Sequence, residues 1–338
     1  KLIKCETLMI VSKSDPNTDV YDSLVFVSRE AQKVTIPSYI KYIKSSAFSG
    51  CSLLKTVCFQ ENSQLVLIDD DSFSHSSLIN IVIPSSVVRI GQDNFARCES
   101  LQKVEFEKNS QLKSIGKFIF LFSKINEFVF PENLCEFDYQ WCYNIFDLNT
   151  VSVSPDNKRL SILDSKIVLR KSDSKSEHFD EIIFACRDIK EAKIPSYIKF
   201  IKDCAFYHCS HLNKVEFEAN SQLISIGDNA FCDSNIKEIS IPKSVKIIGK
   251  QAFQSCNNLE KIELPEDSEL LEIKQFVLYM DSLESFFIPS KVVKLHEKWN
   301  AFSKSLRQIY VSPENKNIKY APEDKRMIVS KSKSESDC

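Results

Sequence analysis

The residues best suited to metal chemistry in this sequence lie together between positions 204 and 211. Cys204, His208, Cys209 and His211 offer thiolate and imidazole groups of the kind that bind zinc. Their spacing matches no common zinc module. A related stretch of sequence lies 158 residues earlier. Only the second cysteine is present there, and serine, glycine and leucine occupy the other three positions. We therefore interpret the group as a chance cluster near a turn and predict no metal site.

Other chemically capable residue types are arranged for structure rather than for catalysis. The acidic run Asp69–Asp71 lacks the alternating oxygen ligands and the closing glutamate of a calcium loop, so we interpret it as a solvated turn. The sequence contains no Walker motif, no GxSxG and no HExxH, and its histidines form no repeated partnership with a nucleophile. These observations predict a protein that is not an enzyme and that needs no cofactor. Four of the five glycines fall in one repeated column, which indicates a turn rather than a phosphate loop: Gly91, Gly116, Gly227 and Gly249.

The composition is that of a folded protein with no charge bias. The 338 residues are 43% hydrophobic and 27% charged, with a formal net charge of -2. Such a balance predicts no nucleic-acid groove and no basic membrane patch. No apolar run approaches the roughly 18 to 20 residues of a membrane helix, so no membrane insertion is predicted. The first residues do not resemble a signal peptide, and we interpret the sequence as part of a longer chain.

An internal repeat organises the chain. Residues 36–59 and residues 194–217 share 15 of 24 positions at an offset of 158 residues. The offset also relates Trp141 to Trp299. The sequence is therefore two copies of one large unit.

A finer period of alternating 25 and 22 residues lies within each copy. It is marked by an isoleucine that opens each coil and by a phenylalanine five residues later, as in Ile43 and Phe48. A closing pattern of apolar-x-x-apolar-x-apolar follows, as in Leu101, Val104 and Phe106. This period, with one leucine-bearing segment per coil, is typical of a leucine-rich-repeat solenoid.

We predict an α/β repeat fold: a solenoid with short parallel strands on one face and short helical turns, around the Ala-Phe pairs, on the other. Ten coils are counted, five in each copy. The segments without the pattern are read as β-rich islands between the repeat blocks. The predicted organisation is a partial island (1–35), a first repeat block (36–153), an island (154–193), a second repeat block (194–311) and a truncated island (312–338).

Four cysteines share one column, three residues before the leucine of a coil: Cys51, Cys98, Cys209 and Cys256. A bridge within the column would join coils two apart, about 10 Å at the usual strand spacing. A disulfide needs Cα atoms within about 7 Å. We predict that these residues are small members of the core.

The candidate binding surface is a row of side chains that alternate with the buried strand positions. It forms an exposed ladder in which apolar or aromatic groups lie among carboxylates, an arrangement that solenoids use for protein ligands. Scattered surface hydrophobes remain the alternative interpretation. The predicted binding residues are Val82, Glu105, Val129, Glu216, Glu263, Phe287 and Tyr310. The same position in other coils holds Cys58, Ser152 and Ser240.

The composite IPxSVKxIGxxAFxxCxxLxxVxF, clearest from Ile241 to Leu259, resembles the BspA-like leucine-rich repeat of the Treponema pallidum type. The resemblance covers residues 36–153 and 194–311, about 70% of the chain. It implies a surface-displayed protein that binds a host or matrix protein in adhesion, located at the cell surface or outside the cell. The alternative is a cytoplasmic scaffold for an internal partner. The many cysteines and the absence of Asn-x-Ser/Thr among 19 asparagines favour that alternative slightly.

Overall fold

The chain divides into two β-solenoid units, residues 1–174 and residues 175–338. The structure is a computed structural model that describes residues 3–5, 9–138, 140–321 and 328–330. In each unit the chain winds through successive coils, and a complete coil contributes one two- to five-residue strand to each of two sheets.

The strands of unit 1 alternate between two residues and four residues in length from Tyr42 to Val153. They are β1 (Ile3–Cys5), β2 (Met9–Ser12), β3 (Ser23–Val27), β4 (Lys33–Ile36), β5 (Tyr42–Ile43), β6 (Thr56–Phe59), β7 (Leu67–Ile68), β8 (Asn80–Ile83), β9 (Arg89–Ile90), β10 (Lys103–Phe106), β11 (Ser114–Ile115), β12 (Glu127–Phe130), β13 (Glu136–Phe137), β14 (Thr150–Val153), β15 (Leu160–Leu163) and β16 (Ile167–Arg170).

Two parallel sheets run through the coils of unit 1. The first has the order β1-β2-β3-β5-β7-β9-β11-β13 and is antiparallel only among its first three strands. Its register aligns the opening isoleucines, as in Ile43↔Ile68↔Ile90. The longer strands form the second sheet in two parts, the parallel pair β4–β6 and the four-stranded β8-β10-β12-β14. The unit closes with the antiparallel hairpin β15–β16.

The strands of unit 2 alternate between two residues and three or four residues in length from Phe200 to Val311. They are β17 (Glu181–Ala185), β18 (Glu191–Ile194), β19 (Phe200–Ile201), β20 (Lys214–Phe217), β21 (Ser225–Ile226), β22 (Glu238–Ser240), β23 (Ile247–Ile248), β24 (Lys261–Glu263), β25 (Glu272–Ile273), β26 (Ser285–Ile288), β27 (Lys294–Leu295), β28 (Gln308–Val311), β29 (Ile318–Tyr320) and β30 (Ile328–Ser330).

In unit 2 the first sheet is continuous and the second is divided. The short strands follow the parallel order β17-β19-β21-β23-β25-β27. The longer strands form three separate parallel pairs, β18–β20, β22–β24 and β26–β28. An antiparallel hairpin, β29–β30, follows the last pair.

Each unit shows six two-strand coils among its described residues, where the sequence pattern indicated five. The added coil is the first in each unit, β3 with β4 and β17 with β18. These strands pair in parallel with the next coil, as Leu24↔Ile43 and Ile182↔Ile201 illustrate. Part of each segment interpreted as a coil-free island therefore belongs to the solenoid. The sequence pattern did not predict the strands of the first sheet. Most of them are only two residues long, which is too short to show an alternation of apolar and polar residues.

The core is a set of stacked side-chain columns. The phenylalanines predicted to share one column are buried, and neighbouring rings stack with centroids 4.6 Å apart for Phe48 and Phe73 and 5.6 Å apart for Phe73 and Phe95. In unit 2 the rings of Phe206 and Phe231 stack at 5.0 Å. No coil can cover its own ring, so burial of this column depends on the neighbouring coils.

The predicted helical turns are wrong, because the described residues contain no helix. The segments around the column phenylalanines are instead successive turns. Two residues with positive φ bracket each ring, one two positions before it and one two positions after it, for example Ser46 (φ 60°) and Gly50 (φ 72°) around Phe48. A left-handed residue at every fourth position is incompatible with an α-helix.

The backbone hydrogen bonds explain why the turns do not become helical. The amide of Ala47 donates to the carbonyl of Lys44 three residues earlier, but the amide of Phe48 donates to the carbonyl of Ser72 in the next coil, at 2.8 Å. Phe206 and Ala230 repeat the second bond in unit 2. Alternate amides therefore link neighbouring coils, whereas a helix would use all of them within one segment.

The glycine column marks a close approach between coils. A Cβ atom on Gly227 would lie 2.6 Å from the backbone nitrogen of Asp203, and one on Gly91 would lie 2.6 Å from that of Asp70. Neither glycine has positive φ. At these two positions the missing side chain permits the approach of two backbones.

Candidate functional site

The ladder residues of unit 1 lie on the solvent side of the second sheet. Val82 on β8 and Glu105 on β10 are register partners, and Val129 on β12 is the partner of Ser152. Val82 is 47% exposed, and the other two predicted residues are partly exposed. The buried neighbours within the same strands, such as Ile81 and Val104, point into the core.

The ladder residues of unit 2 occupy the same side of their strands but fall into separate pieces. Glu216 lies on β20, Glu263 pairs in register with Ser240, and Phe287 pairs with Tyr310. Tyr310 is 47% exposed, Glu216 and Glu263 are exposed, and Phe287 is partly exposed. Among the strands described in this unit, β24 and β26 are not paired by backbone hydrogen bonds.

The ladder carboxylates carry lysine partners that the sequence analysis did not identify. The Nζ atom of Lys103 lies 2.9 Å from Glu105, that of Lys214 lies 2.7 Å from Glu216, and Lys261 contacts Glu263. Residues two apart on a strand face the same side, so the recurrent Lys-x-Glu spacing was an available signal. The hydrogen bond from Lys214 lowers the pKa of Glu216.

Lysine and glutamate side chains also line a groove of unit 2, an opening of about 1150 Å³ beside β20, β22 and β24. The pKa of Glu263 is lowered by the hydrogen bonds from Lys261 and Ser240. Since the carboxylates of Glu216 and Glu263 already have cationic neighbours, this groove presents a balanced charged surface.

A cleft opens in the ladder of unit 1 where β10 and β12 diverge. Their register joins only Lys103↔Glu127 and Val104↔Phe128, against four residue pairs between β8 and β10. The cleft measures about 400 Å³, and two of the predicted ladder residues, Glu105 and Val129, line it.

A second cleft of about 590 Å³ occupies the equivalent place in unit 2 and is lined by Glu263 and Phe287. These residues lie 158 positions after Glu105 and Val129. Pro265 lines this cleft and stands in the position of Glu107, whose amide donates to the carbonyl of Ile83 in the preceding coil. Proline has no amide hydrogen to make the corresponding bond.

The cysteine–histidine group around Cys204 is dispersed by the fold. Cys204 and Cys209 are buried, the Nδ1 atom of His208 contacts a carboxylate oxygen of Asp233, and His211 is exposed. Within the described residues, no three histidine, cysteine or acidic side chains are placed to hold a metal ion.

The acidic run Asp69–Asp71 supports the backbone of its turn. The Oδ1 atom of Asp70 accepts a hydrogen bond from the amide of Gln92 at 3.0 Å, and Asp71 occupies a left-handed conformation. Burial is the main cause that raises the pKa of the Asp71 carboxyl.

The cysteine column consists of buried side chains in contact with the neighbouring coil. The thiols of Cys98 and Cys256 lie 3.1 Å from the carbonyls of Phe73 and Phe231, to which they donate. Burial raises the pKa of Cys98 to about 11 and that of Cys256 to about 12. These thiols therefore stay protonated and unreactive at neutral pH.

The part of the chain that the structure describes contains no helix that could cross a membrane. Its candidate functional site is the ladder of the second sheet, with one cleft in each unit.

Comparison with protein families gives a match to the BspA type leucine rich repeat region in six copies, over residues 20–157 and 177–319. A comparison with curated protein sequences finds no match.

Several solved structures share the fold. The chain is 22% identical to the pneumococcal vaccine antigen PcpA, with a TM-score of 0.66, and the match covers 90% of this chain and 66% of PcpA. A leucine rich cell surface protein from Faecalibacterium prausnitzii is 19% identical, with a TM-score of 0.65 over 92% of this chain and 95% of that protein. A leucine-rich repeat protein from Eubacterium ventriosum is 17% identical, with a TM-score of 0.59 over 91% and 92% of the two chains.

Proposed function

The chain belongs to the family of proteins with BspA type leucine-rich repeats, and we propose that it is a non-enzymatic solenoid that binds a protein partner at the cell surface. Proteins of leucine-rich-repeat families generally serve as interaction scaffolds. The proposed role is adhesion to a host or matrix protein. A solved structure of similar fold is described as a cell surface protein, which supports the location.

The observation that carries the proposal is the solvent-facing row of the second sheet. Val82 and Tyr310 are each 47% exposed although they stand on regular strands beside buried core residues. Large apolar and aromatic groups on a rigid face, surrounded by charged residues, are the usual anchors of protein interfaces.

The first test is whether the segment is reachable from outside the cell. Intact, unpermeabilised cells are treated with protease, and cleavage of this segment is compared with that of a cytosolic marker. Cleavage before the marker supports surface display. The purified chain is then tested against extracellular-matrix proteins by surface plasmon resonance, where saturable binding supports adhesion.

An intracellular scaffold is the second candidate. Cys51, Cys58, Cys98, Cys135, Cys232 and Cys256 are thiols, the state that a reducing compartment maintains. Protection from external protease, together with co-purification of a cytosolic protein after cross-linking in the cell, would select this function over adhesion.

A further inference from the structure

We propose that the cleft at β24 and β26 in unit 2, lined by Ile262, Glu263, Glu266 and Phe287, receives an arginine side chain of the bound protein. The inference rests on the proposed function and specifies the chemistry of the partner. The partner presents a basic segment to the ladder, and the arginine enters where the strands separate.

The walls of this cleft match the two parts of an arginine side chain. Pro265, which is partly exposed, provides apolar surface for its aliphatic stem, and the buried residues Ile241, Ile262 and Leu264 also line the cleft. Phe287, which is partly exposed, provides an aromatic face. A guanidinium group is planar and weakly hydrated, and it stacks on aromatic rings more often than an ammonium group does.

The charge of the cleft favours a cation. Its lining contains two carboxylates, Glu263 and Glu266, and no lysine or arginine. Glu263 already contacts Lys261. Glu266 is exposed and makes no ion pair within the described part of unit 2, so its carboxylate is available to a guanidinium group from a partner.

The equivalent cleft of unit 1 also has an acidic lining. It contains four carboxylates against two lysines, and one of those lysines, Lys103, lies between Glu105 and Glu127. Asp156 and Glu132 make no ion pair among the described residues of the unit. Val129 takes the place of Phe287, and the aromatic residue of this lining is Phe106, which stands in the position of Leu264.

The test uses N-acetylarginine N-methylamide as the probe, titrated into the full chain with labelled isoleucine and leucine methyl groups. We expect saturable chemical-shift changes at the methyl groups of Ile262 and Leu264. The citrulline analogue has the same stem without the charge and should cause no saturable change. The lysine analogue should bind more weakly than the arginine probe.

Two variants test the residues assigned to the cleft. Phe287→Leu keeps an apolar side chain but removes the ring, and we expect it to weaken binding of the arginine probe by about 2- to 5-fold. Glu266→Gln should weaken it and reduce its dependence on salt. Glu269→Gln is the matched control, since Glu269 is an exposed carboxylate in the same coil outside the cleft.

Equal binding of the arginine and citrulline probes would show that the cleft does not recognise the positive charge. Equal binding of the arginine and lysine probes would show that the cleft does not prefer arginine. The proposed function and the cleft inference are rejected by different results. If the arginine probe does not bind while a protein partner still binds through Tyr310, only the cleft inference is rejected. If neither binds, both are rejected.

Discussion

Asn157 in unit 1 and Asn315 in unit 2 make the same four hydrogen bonds. The side-chain amide of Asn157 donates to the carbonyls of Pro131 and Leu134 at 2.8 and 2.9 Å, and that of Asn315 donates to the carbonyls of Pro289 and Val292. The oxygen of each side chain accepts two backbone amides at the start of the following hairpin. One buried side chain thus joins a coil to a hairpin in each unit.

Replacing Asn157 by alanine should destabilise unit 1. The change removes the partner of two buried carbonyls and two amides, and each unsatisfied buried group costs about 1–3 kcal/mol where water cannot replace the bond. Urea unfolding followed by circular dichroism measures the loss, with Asn257→Ala at an exposed position as the control. Equal stability of the two variants would show that Asn157 does not stabilise the connection between the coil and the hairpin.

Replacing Phe95 by alanine should open a cavity in the aromatic column. Phe95 is fully buried between Phe73 and Phe120, with ring centroids 5.6 and 5.8 Å away. The free energy of unfolding should fall by about 3–5 kcal/mol. Phe302→Ala is the control, because that ring is 64% exposed. A loss below about 1 kcal/mol for Phe95→Ala would contradict the placement of Phe95 in the core.

The double substitution of Phe287 and Tyr310 by alanine should preserve the fold and weaken partner binding. The two residues are register partners on β26 and β28 and lie on the solvent side. Removal of two aromatic anchors typically reduces affinity by more than about 10-fold. Calorimetry with an identified partner measures the change, and Val293→Ala, 55% exposed outside the ladder, is the control. Unchanged affinity would move the binding site away from this end of the ladder.

The free energy of unfolding should depend on pH through Glu272. Its hydrogen bond from His296, with further contributions from Lys294, holds the pKa of Glu272 below the ordinary value of 4.5. A lowered pKa in the folded state stabilises the fold above the unfolded pKa, and this contribution is lost as the pH falls through the folded value. Glu272→Gln should therefore be less stable than the native chain at pH 7, and the difference should shrink as the pH falls towards about 3. A constant difference from pH 7 to pH 3 would contradict this role.

The sequence predicted the columns of the solenoid because the same residue type recurs at the same place in each coil. Ile43, Phe48 and Leu54 all occupy buried columns. The turns were misjudged because alanine favours a helix, so the Ala-Phe pairs did not indicate a left-handed turn. Asp, Asn and His recur at the left-handed positions, as in Asp71, His75 and Asn229, and these types adopt positive φ more readily than most residues.

The clefts were beyond sequence reasoning. Glu263 and Phe287 were each predicted as solvent-facing, but their common cleft depends on the divergence of β24 and β26. That divergence belongs to the three-dimensional path of the two coils, which the residue pattern does not specify.

The equivalence of the two asparagine joints has a genetic consequence. Recombination in the coding sequence between the copies would insert or delete 158 residues as a block. The new protein would still meet each hairpin through an asparagine with the same four bonds. Each copy gained in this way would bring its own asparagine link between its last coil and its hairpin.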